Sequence, residues 1–173
     1  KVEDPQLVKK GEYLAKLGDC IACHTDSDGL AFGGGREMDT PFGVFYSPNI
    51  TPNKEYGLGN WSYKDFETAL RHGVRPDGAN YFPVFPYLYY TKINDEDMRA
   101  LKAYFDAIPA VDKPNKEHDV AFPFNVRFFQ YFWKMLFFYP YDGVHQDDPE
   151  QSDKLNRGEY LVEGLAHCGM CHT

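Results

Sequence analysis

The run Cys20-Ile21-Ala22-Cys23-His24-Thr25 returns almost unchanged as Cys168-Gly169-Met170-Cys171-His172-Thr173. Two thiols three positions apart, followed at once by an imidazole, fit on a single tight turn. That geometry suits covalent attachment of a porphyrin. The thiols bond the two vinyl groups on one macrocycle edge, and the next side chain lies under the iron as its proximal ligand. The candidate attachment residues are Cys20, Cys23, Cys168 and Cys171, the candidate iron ligands are His24 and His172, and the implied cofactor is haem c. Paired Cys-x-x-Cys zinc sites usually hold their halves about 15–20 residues apart, whereas Cys23 and Cys168 are separated by 145 positions. A thioredoxin-like redox pair wants a strand–helix–strand setting and does not require a following histidine. A disulfide within one pair leaves both histidines without a task.

A macrocycle needs a dry, aromatic-lined pocket, and 13 Tyr and 14 Phe in 173 residues can supply one. The length has room for one domain and part of another. The net charge of −8 disfavours nucleic acid, which calls for a basic patch. Such a surface keeps a protein soluble or steers basic partners. No run of about 20 apolar residues is present, so no transmembrane span is expected. Haem attachment to this motif in bacteria occurs outside the cytoplasm. The start Lys1-Val2-Glu3-Asp4 is therefore read as following a removed export signal.

Asp4-Pro5 signals a helix start, and Leu7, Val8, Gly11, Leu14, Ala15 and Leu17 keep helical spacing up to Gly18. Gly11 in mid-helix costs about 1 kcal/mol against Ala, which points to close approach by another helix. Residues 26–60 read as loop, punctuated by glycines and prolines. Within them Tyr46 and Asn49, with Trp61 just beyond, carry donors suited equally to haem propionates or to ordinary turn chemistry. Ser62 with Asp65 opens a second helix that Gly73 stops. Residues 74–92 read as irregular. Asn94 caps a third helix whose first turn, Asp95-Glu96-Asp97, complements the helix dipole and which Pro109 ends.

Residues 4–109 thus make three helices joined by loops around one Cys-x-x-Cys-His, which resembles the class I cytochrome c domain. In that fold the first and last helices cross at right angles, a small residue on the first admitting an aromatic on the last. The resemblance pairs Gly11 with Leu101 and Tyr104. Beyond it runs a strongly aromatic stretch from Phe122 to Tyr139. Asn125 is a candidate cap there for a short helix ended by Pro140, and Arg127, Gln130 and Lys134 form a narrow polar stripe beside a broad apolar face. Packing within the protein or against a partner subunit, or contact with a membrane surface, would account for that face. Asn156 is read as the start of a last helix. There Gly158-Glu159-Tyr160-Leu161 repeats Gly11-Glu12-Tyr13-Leu14, an internal duplication of a domain start. Because the second copy stops at Thr173, one properly built haem site and an incomplete second one are expected.

The first motif with Gly11-Glu12-Tyr13-Leu14, Gly34-Gly35-Arg36, Thr40-Pro41-Phe42-Gly43, Ser47-Pro48-Asn49-Ile50-Thr51-Pro52, Arg71-His72-Gly73-Val74-Arg75-Pro76-Asp77-Gly78, Asp95-Glu96-Asp97 and Gly158 to Thr173 resemble, together, the multihaem cytochrome c subunits of bacterial membrane-bound dehydrogenases. The Phe122-Pro123-Phe124-Asn125 connector looks most like the flavin-dependent glucose dehydrogenase type. The resemblance implies an all-α chain: a class I cytochrome c domain over 1–109, an aromatic-rich connector over 110–155, and the start of a second cytochrome c domain over 156–173. It also implies a non-catalytic electron-transfer subunit on the periplasmic side of the cytoplasmic membrane. Its partners would be a flavoprotein dehydrogenase catalytic subunit and a small accessory subunit, with electrons passing on to ubiquinone through the full-length subunit, or to an artificial acceptor. Related domains often place a sixth ligand, Met, in Pro-x-Met-Pro-Tyr. Here Pro83-Val84-Phe85-Pro86-Tyr87 has Phe85 in that place, and phenylalanine cannot ligate iron. That departure keeps a haem enzyme, such as a dihaem peroxidase or thiosulfate-oxidising protein, as an alternative. A free soluble carrier is a third reading.

Overall fold

Asp4 accepts a hydrogen bond from Gln6 N at 3.0 Å, and Pro5 takes the first helical position, so helix α1 runs Pro5–Leu17. The computed structural model describes residues 4–139 and 143–172. The chain forms two units, Lys1–Tyr63 with Arg99–Val126, and Lys64–Met98 with Arg127–Thr173. It passes between them within helices α3 (Tyr63–His72) and α5 (Asp95–Ala107).

In the first unit, α1 leads through Gly18 into a short helix α2, Cys20–His24. Gly11 lies against the carbonyl of Ala100 and, for a Cβ placed there, 2.6 Å from Tyr104 Cβ. The close approach expected of Gly11 is present, with Ala100 and Tyr104 supplying the nearest atoms. Only hydrogen can occupy that space, so the helical cost of glycine is offset by contact between two backbones. Leu14 and Ala15 are buried on the same face. Phe32 meets Tyr104 and Phe105 edge-on, at centroid distances of 6.1 and 5.6 Å, which favours aromatic quadrupoles.

The expectation of an all-α chain is corrected here, because the protein is mostly helical with a small sheet. Strands β1 (Glu37–Thr40) and β2 (Gly43–Tyr46) pair antiparallel, Met38 opposite Phe45, and β3 (Asp119–Val120) adds to β2. The hairpin turns at Pro41-Phe42, with Gly43 at φ 127 against Asp119 and Val120. Proline after Thr40 in the turn and the β-prone run Val44-Phe45-Tyr46 are strand signals that a loop reading passes over.

In the second unit, α3 ends at Gly73, which sits against the Tyr87 ring. Arg71 is buried. It donates to Ile93 O at 3.1 and 2.7 Å, to Glu67 at 2.7 Å and to Asp95 at 2.6 Å, so every charge it presents is met. Residues 74–92 are not wholly irregular, since Pro86 precedes a single helical turn, α4 (Tyr87–Tyr90). Asn94 caps α5 as expected, its side chain accepting from Asp97 N at 2.8 Å.

Helix α6 spans Phe129–Phe137 and begins four residues after Asn125, without a side-chain cap. Pro140, its expected stop, lies outside the described residues. The helix is turned opposite to an ordinary surface helix. Lys134 is fully buried, while Phe128, Phe129, Tyr131, Phe132, Met135, Leu136 and Phe137 are exposed. Helix α7 runs Asp153–Glu163 and starts before Asn156, because Ser152 caps it by accepting from Leu155 N. Asn156 is instead buried, exchanging two hydrogen bonds with the Asp148 backbone at 2.9 and 3.0 Å.

Candidate haem attachment site

Asp19 takes a left-handed conformation, φ 50, breaking α1 from α2 and setting Cys20, Cys23 and His24 on one helical turn. The decisive contact is made outside the motif. His24 Nδ1 lies 2.8 Å from Pro48 O. A carbonyl can only accept, so Nδ1 carries the proton and Nε2 keeps its lone pair for a metal. A second-shell acceptor of this kind fixes the tautomer and the ring's direction.

The Gly33-Gly34-Gly35 run makes the approach possible. Gly34 N donates to His24 O at 2.8 Å, Gly35 N donates to Ser47 O at 2.7 Å, and the space of a Gly34 side chain is taken by the Pro48–Asn49 peptide. Gly34 also has φ 70, where a Cβ is strained. Three backbones therefore pass each other beside the imidazole. Lys113 ties the same loop down, donating to Gly34 O at 2.8 Å and to Asp28 at 2.5 Å.

Burial pushes the Cys20 thiol up to about 12, with the nearby Cys23 thiolate charge adding to the shift. Burial also lowers the His24 pKa, against the opposing bond to Pro48, which favours the neutral imidazole that binds metals. Among the described residues no disulfide forms, and no three His, Cys, Asp or Glu side chains converge on a metal site. The donor set fits haem c, with two thiols for the thioethers and one imidazole held with its metal-binding nitrogen free.

Asn49 does not remain available for propionates. Its amide donates to Val111 O and Lys113 O, at 2.9 and 3.2 Å, and its carbonyl oxygen accepts from both Thr51 N and Thr51 Oγ1. Tyr46 is half-buried beneath the Lys116 ammonium, 5.1 Å from its ring, and Trp61 is half-buried. Phe85 packs with Tyr81 and Tyr90 at 5.1 and 5.6 Å.

The second motif opens in the same way. His167 is left-handed, φ 41, as Asp19 is, and Cys168–Met170 forms a single 3-10 turn. Cys171 and His172 are exposed. Helix α7, which carries the motif, is anchored at Asp97. Asp97 accepts from Arg157 at 2.9 Å and from Tyr160 OH at 3.0 Å, while Tyr160 OH also accepts from Asn94 N. His167 meets the Tyr90 ring edge-on at 5.8 Å. Gly158, the counterpart of Gly11, faces open space among the described residues.

The Cytochrome c family model matches residues 8–108. The chain belongs to the cytochrome c family. Its cofactor is haem c, and the matched span holds Cys20, Cys23 and His24 but stops short of the second motif. The chain is 47% identical over 168 residues to the gluconate 2-dehydrogenase cytochrome c subunit of Pantoea cypripedii, covering 96% of this chain and 38% of that relative. It is 43% identical over 177 residues to the cytochrome c subunit of alcohol dehydrogenase (quinone) from Gluconacetobacter polyoxogenes, covering 98% and 36%. A diheme cytochrome c-type protein of Cereibacter sphaeroides is 40% identical over 183 residues, covering 98% and 60%. The chain thus spans little more than a third of the two dehydrogenase subunits. Among the described residues no helix is long and apolar enough to cross a membrane.

Proposed function

We propose that this chain is the haem-bearing start of an electron-transfer subunit in a bacterial dehydrogenase complex. In this reading it is non-catalytic and works on the periplasmic side of the cytoplasmic membrane. It takes electrons from a separate flavin- or quinone-bearing catalytic subunit, which in the flavin type has a small accessory subunit beside it. The full-length subunit passes them to ubiquinone. Bound haem accepts and returns one electron at a time, and Cys20, Cys23 and His24 hold it. The observation that carries the reading is His24 Nδ1 engaged by Pro48 O, in a chain related along 96% or more of its length to dehydrogenase cytochrome subunits. Such a relay needs position and shelter from water, not an acid, base or nucleophile.

We assign Cys168, Cys171 and His172 to a second attachment site at the start of a second haem domain. The repeated helix–left-handed residue–cysteine geometry supports this. The first domain spans 1–109, and 110–155 connects the two. A stopped-flow test mixes full-length subunit, catalytic subunit and sugar or alcohol substrate. Substrate-dependent growth of the ferrous haem bands is the expected result, and their absence with an active catalytic subunit refutes the reading. Phe85 in place of a ligand favours one second reading, a haem enzyme. Tight cyanide or carbon monoxide binding by the native protein, with turnover of a small substrate, would select it.

A further inference from the structure

The segment from Val111 to Val120 runs beside β2 and the stretch that follows it. Asn49 N donates to Asn115 Oδ1 at 2.7 Å, and Asn115 in turn donates to Tyr56 O at 2.7 Å. Further along, Tyr46 N donates to His118 Nδ1 at 3.2 Å, and Asp119 and Val120 pair with Val44 and Gly43. Ser47 and Pro48 lie between these two ties. Ser47 is buried, its N–H donating to Arg36 O at 3.0 Å and its Oγ accepting from Arg36 N at 3.1 Å. Pro48 O is the acceptor that faces His24 Nδ1. The carbonyl that orients the imidazole is therefore held on one side by Asn115 and on the other by His118.

Of the two ties, the one at His118 depends on a proton. A backbone N–H can only donate, so Nδ1 of His118 keeps its lone pair and Nε2 carries the hydrogen. A second proton would put an N–H on Nδ1, directly opposite the Tyr46 N–H. Two donors cannot bond, so the ring or the end of β2 must move. Histidine ordinarily changes charge between about pH 5 and 8. The His118 ring is half-buried, 5.2 Å from the Phe45 ring. The charged and titratable groups about it are Tyr46 on β2, Glu37 opposite Tyr46 on β1 with Arg36 before it, and Lys116, Glu117 and Asp119 in its own segment. Lys116 Nζ lies 5.1 Å from the Tyr46 ring centroid and 3.5 Å from Asp26. Carboxyl, phenol, ammonium and guanidinium groups ordinarily titrate outside that window, which leaves the imidazole as the switch.

We infer that His118 is a proton-sensitive positioning residue for His24: neutral, it holds Tyr46 and with it the Pro48 carbonyl, and protonated, it lets that carbonyl slacken. This rests on His24 being the iron ligand of haem c. The test compares haem-loaded wild type, H118N and H118A from pH 5 to 8. Asparagine offers an acceptor oxygen in place of Nδ1 and does not titrate, whereas alanine offers none. The first readout is hydrogen exchange at the Tyr46 amide, corrected for the intrinsic effect of pH. Wild-type protection falls on the order of tenfold between pH 8 and 5, the scale of one hydrogen bond. It stays high in H118N and low in H118A. The second readout is the midpoint potential of the haem on Cys20 and Cys23, by spectroelectrochemistry. Relative to H118N, it shifts upward in the wild type as pH falls, and H118A holds the raised value throughout. Since alanine carries no charge, that last result separates the lost bond from the field of an imidazolium. Wild-type protection that ignores pH overturns the switch. A wild-type potential parallel to that of H118N, or an H118A potential equal to the wild type's at pH 8, overturns the link to His24. Absence of covalent haem at Cys20 and Cys23 refutes the attachment reading instead, and the Tyr46 amide still decides the switch.

Discussion

Replacing Gly11 with alanine tests how α1 and α5 are held together. The added methyl would sit against Ala100 O and within 2.6–2.7 Å of Tyr104 Cβ and Ala100 C. Ordinary carbon contacts are about 3.5–4.0 Å, so α1 and α5 must part by roughly 1 Å. Two of the three opposing atoms are backbone and cannot rotate away. Overpacking of this kind costs about 1–3 kcal/mol. Displacing Tyr104 and Phe105 from Phe32 puts a further 0.5–1.5 kcal/mol per aromatic pair at risk, as an order of magnitude. Alanine returns about 1 kcal/mol of helix propensity. The net expectation is a loss of about 2 kcal/mol, or roughly 4–8 °C in melting midpoint for a chain of this size. Far-UV circular dichroism melts of the haem-loaded protein read it directly. Gly158→Ala is the internal control. Its Cβ meets nothing within 4 Å, so it should stabilise by about 0.5–1 kcal/mol. If G11A melts at or above the wild-type temperature, the proposed contact between backbones is wrong.

Lys134 supplies a pH test. Burial pulls its pKa down from 10.5 to about 8. Between those values the unfolded chain binds a proton that the folded chain has lost, so stability rises with pH. Relative to Lys134→Met, the wild type should gain about 2 kcal/mol from pH 8 to 10 in denaturant titrations. A flat difference refutes the shift. The comparison stops at pH 10 because Tyr87 and Tyr160, both pushed up by burial, act with the opposite sign above it. Asp97→Asn removes the carboxylate that Arg157 and Tyr160 share. Hydrogen exchange along α7 should quicken about tenfold, and native protection in the variant would show that Asp97 does not anchor the helix. Cys20→Ser with Cys23→Ser should abolish haem that survives acid-acetone extraction of the first domain, read by pyridine haemochrome. Retention of the full covalent count would refute the assignment.

The three main helices were legible because each had a local stop and start: Asp4-Pro5, Asn94 and Gly73 do their work within a few residues of themselves. The sheet was missed because a four-residue strand next to a proline turn has the composition of a loop. The grouping of Cys20, Cys23 and His24 on one turn was readable from side chains alone. Pro48 was not, because its contribution is a backbone carbonyl placed 24 positions away by the glycine run. The stripe Arg127, Gln130, Lys134 was seen, but its direction was not. Periodicity reports that a helix has two faces without saying which one the protein covers, and Lys134 inverted the usual choice by finding three oxygens inside, on His72, Gly73 and Asn80.

The carbonyl beside His24 also bears on which oxidation state the site prefers. A carboxylate in that position would draw the Nδ1 proton toward itself and leave the ring partly imidazolate, a strong donor that suits ferric iron. Pro48 O is neutral and pulls less, so a metal held at Nε2 would meet a modest donor, and its ferric form would gain less from the ring. The backbone at residue 48 would thereby lean a haem held by His24 toward acquiring an electron. Because no side chain makes that contact, a single-residue exchange at position 48 that kept the chain's path would leave this bias in place.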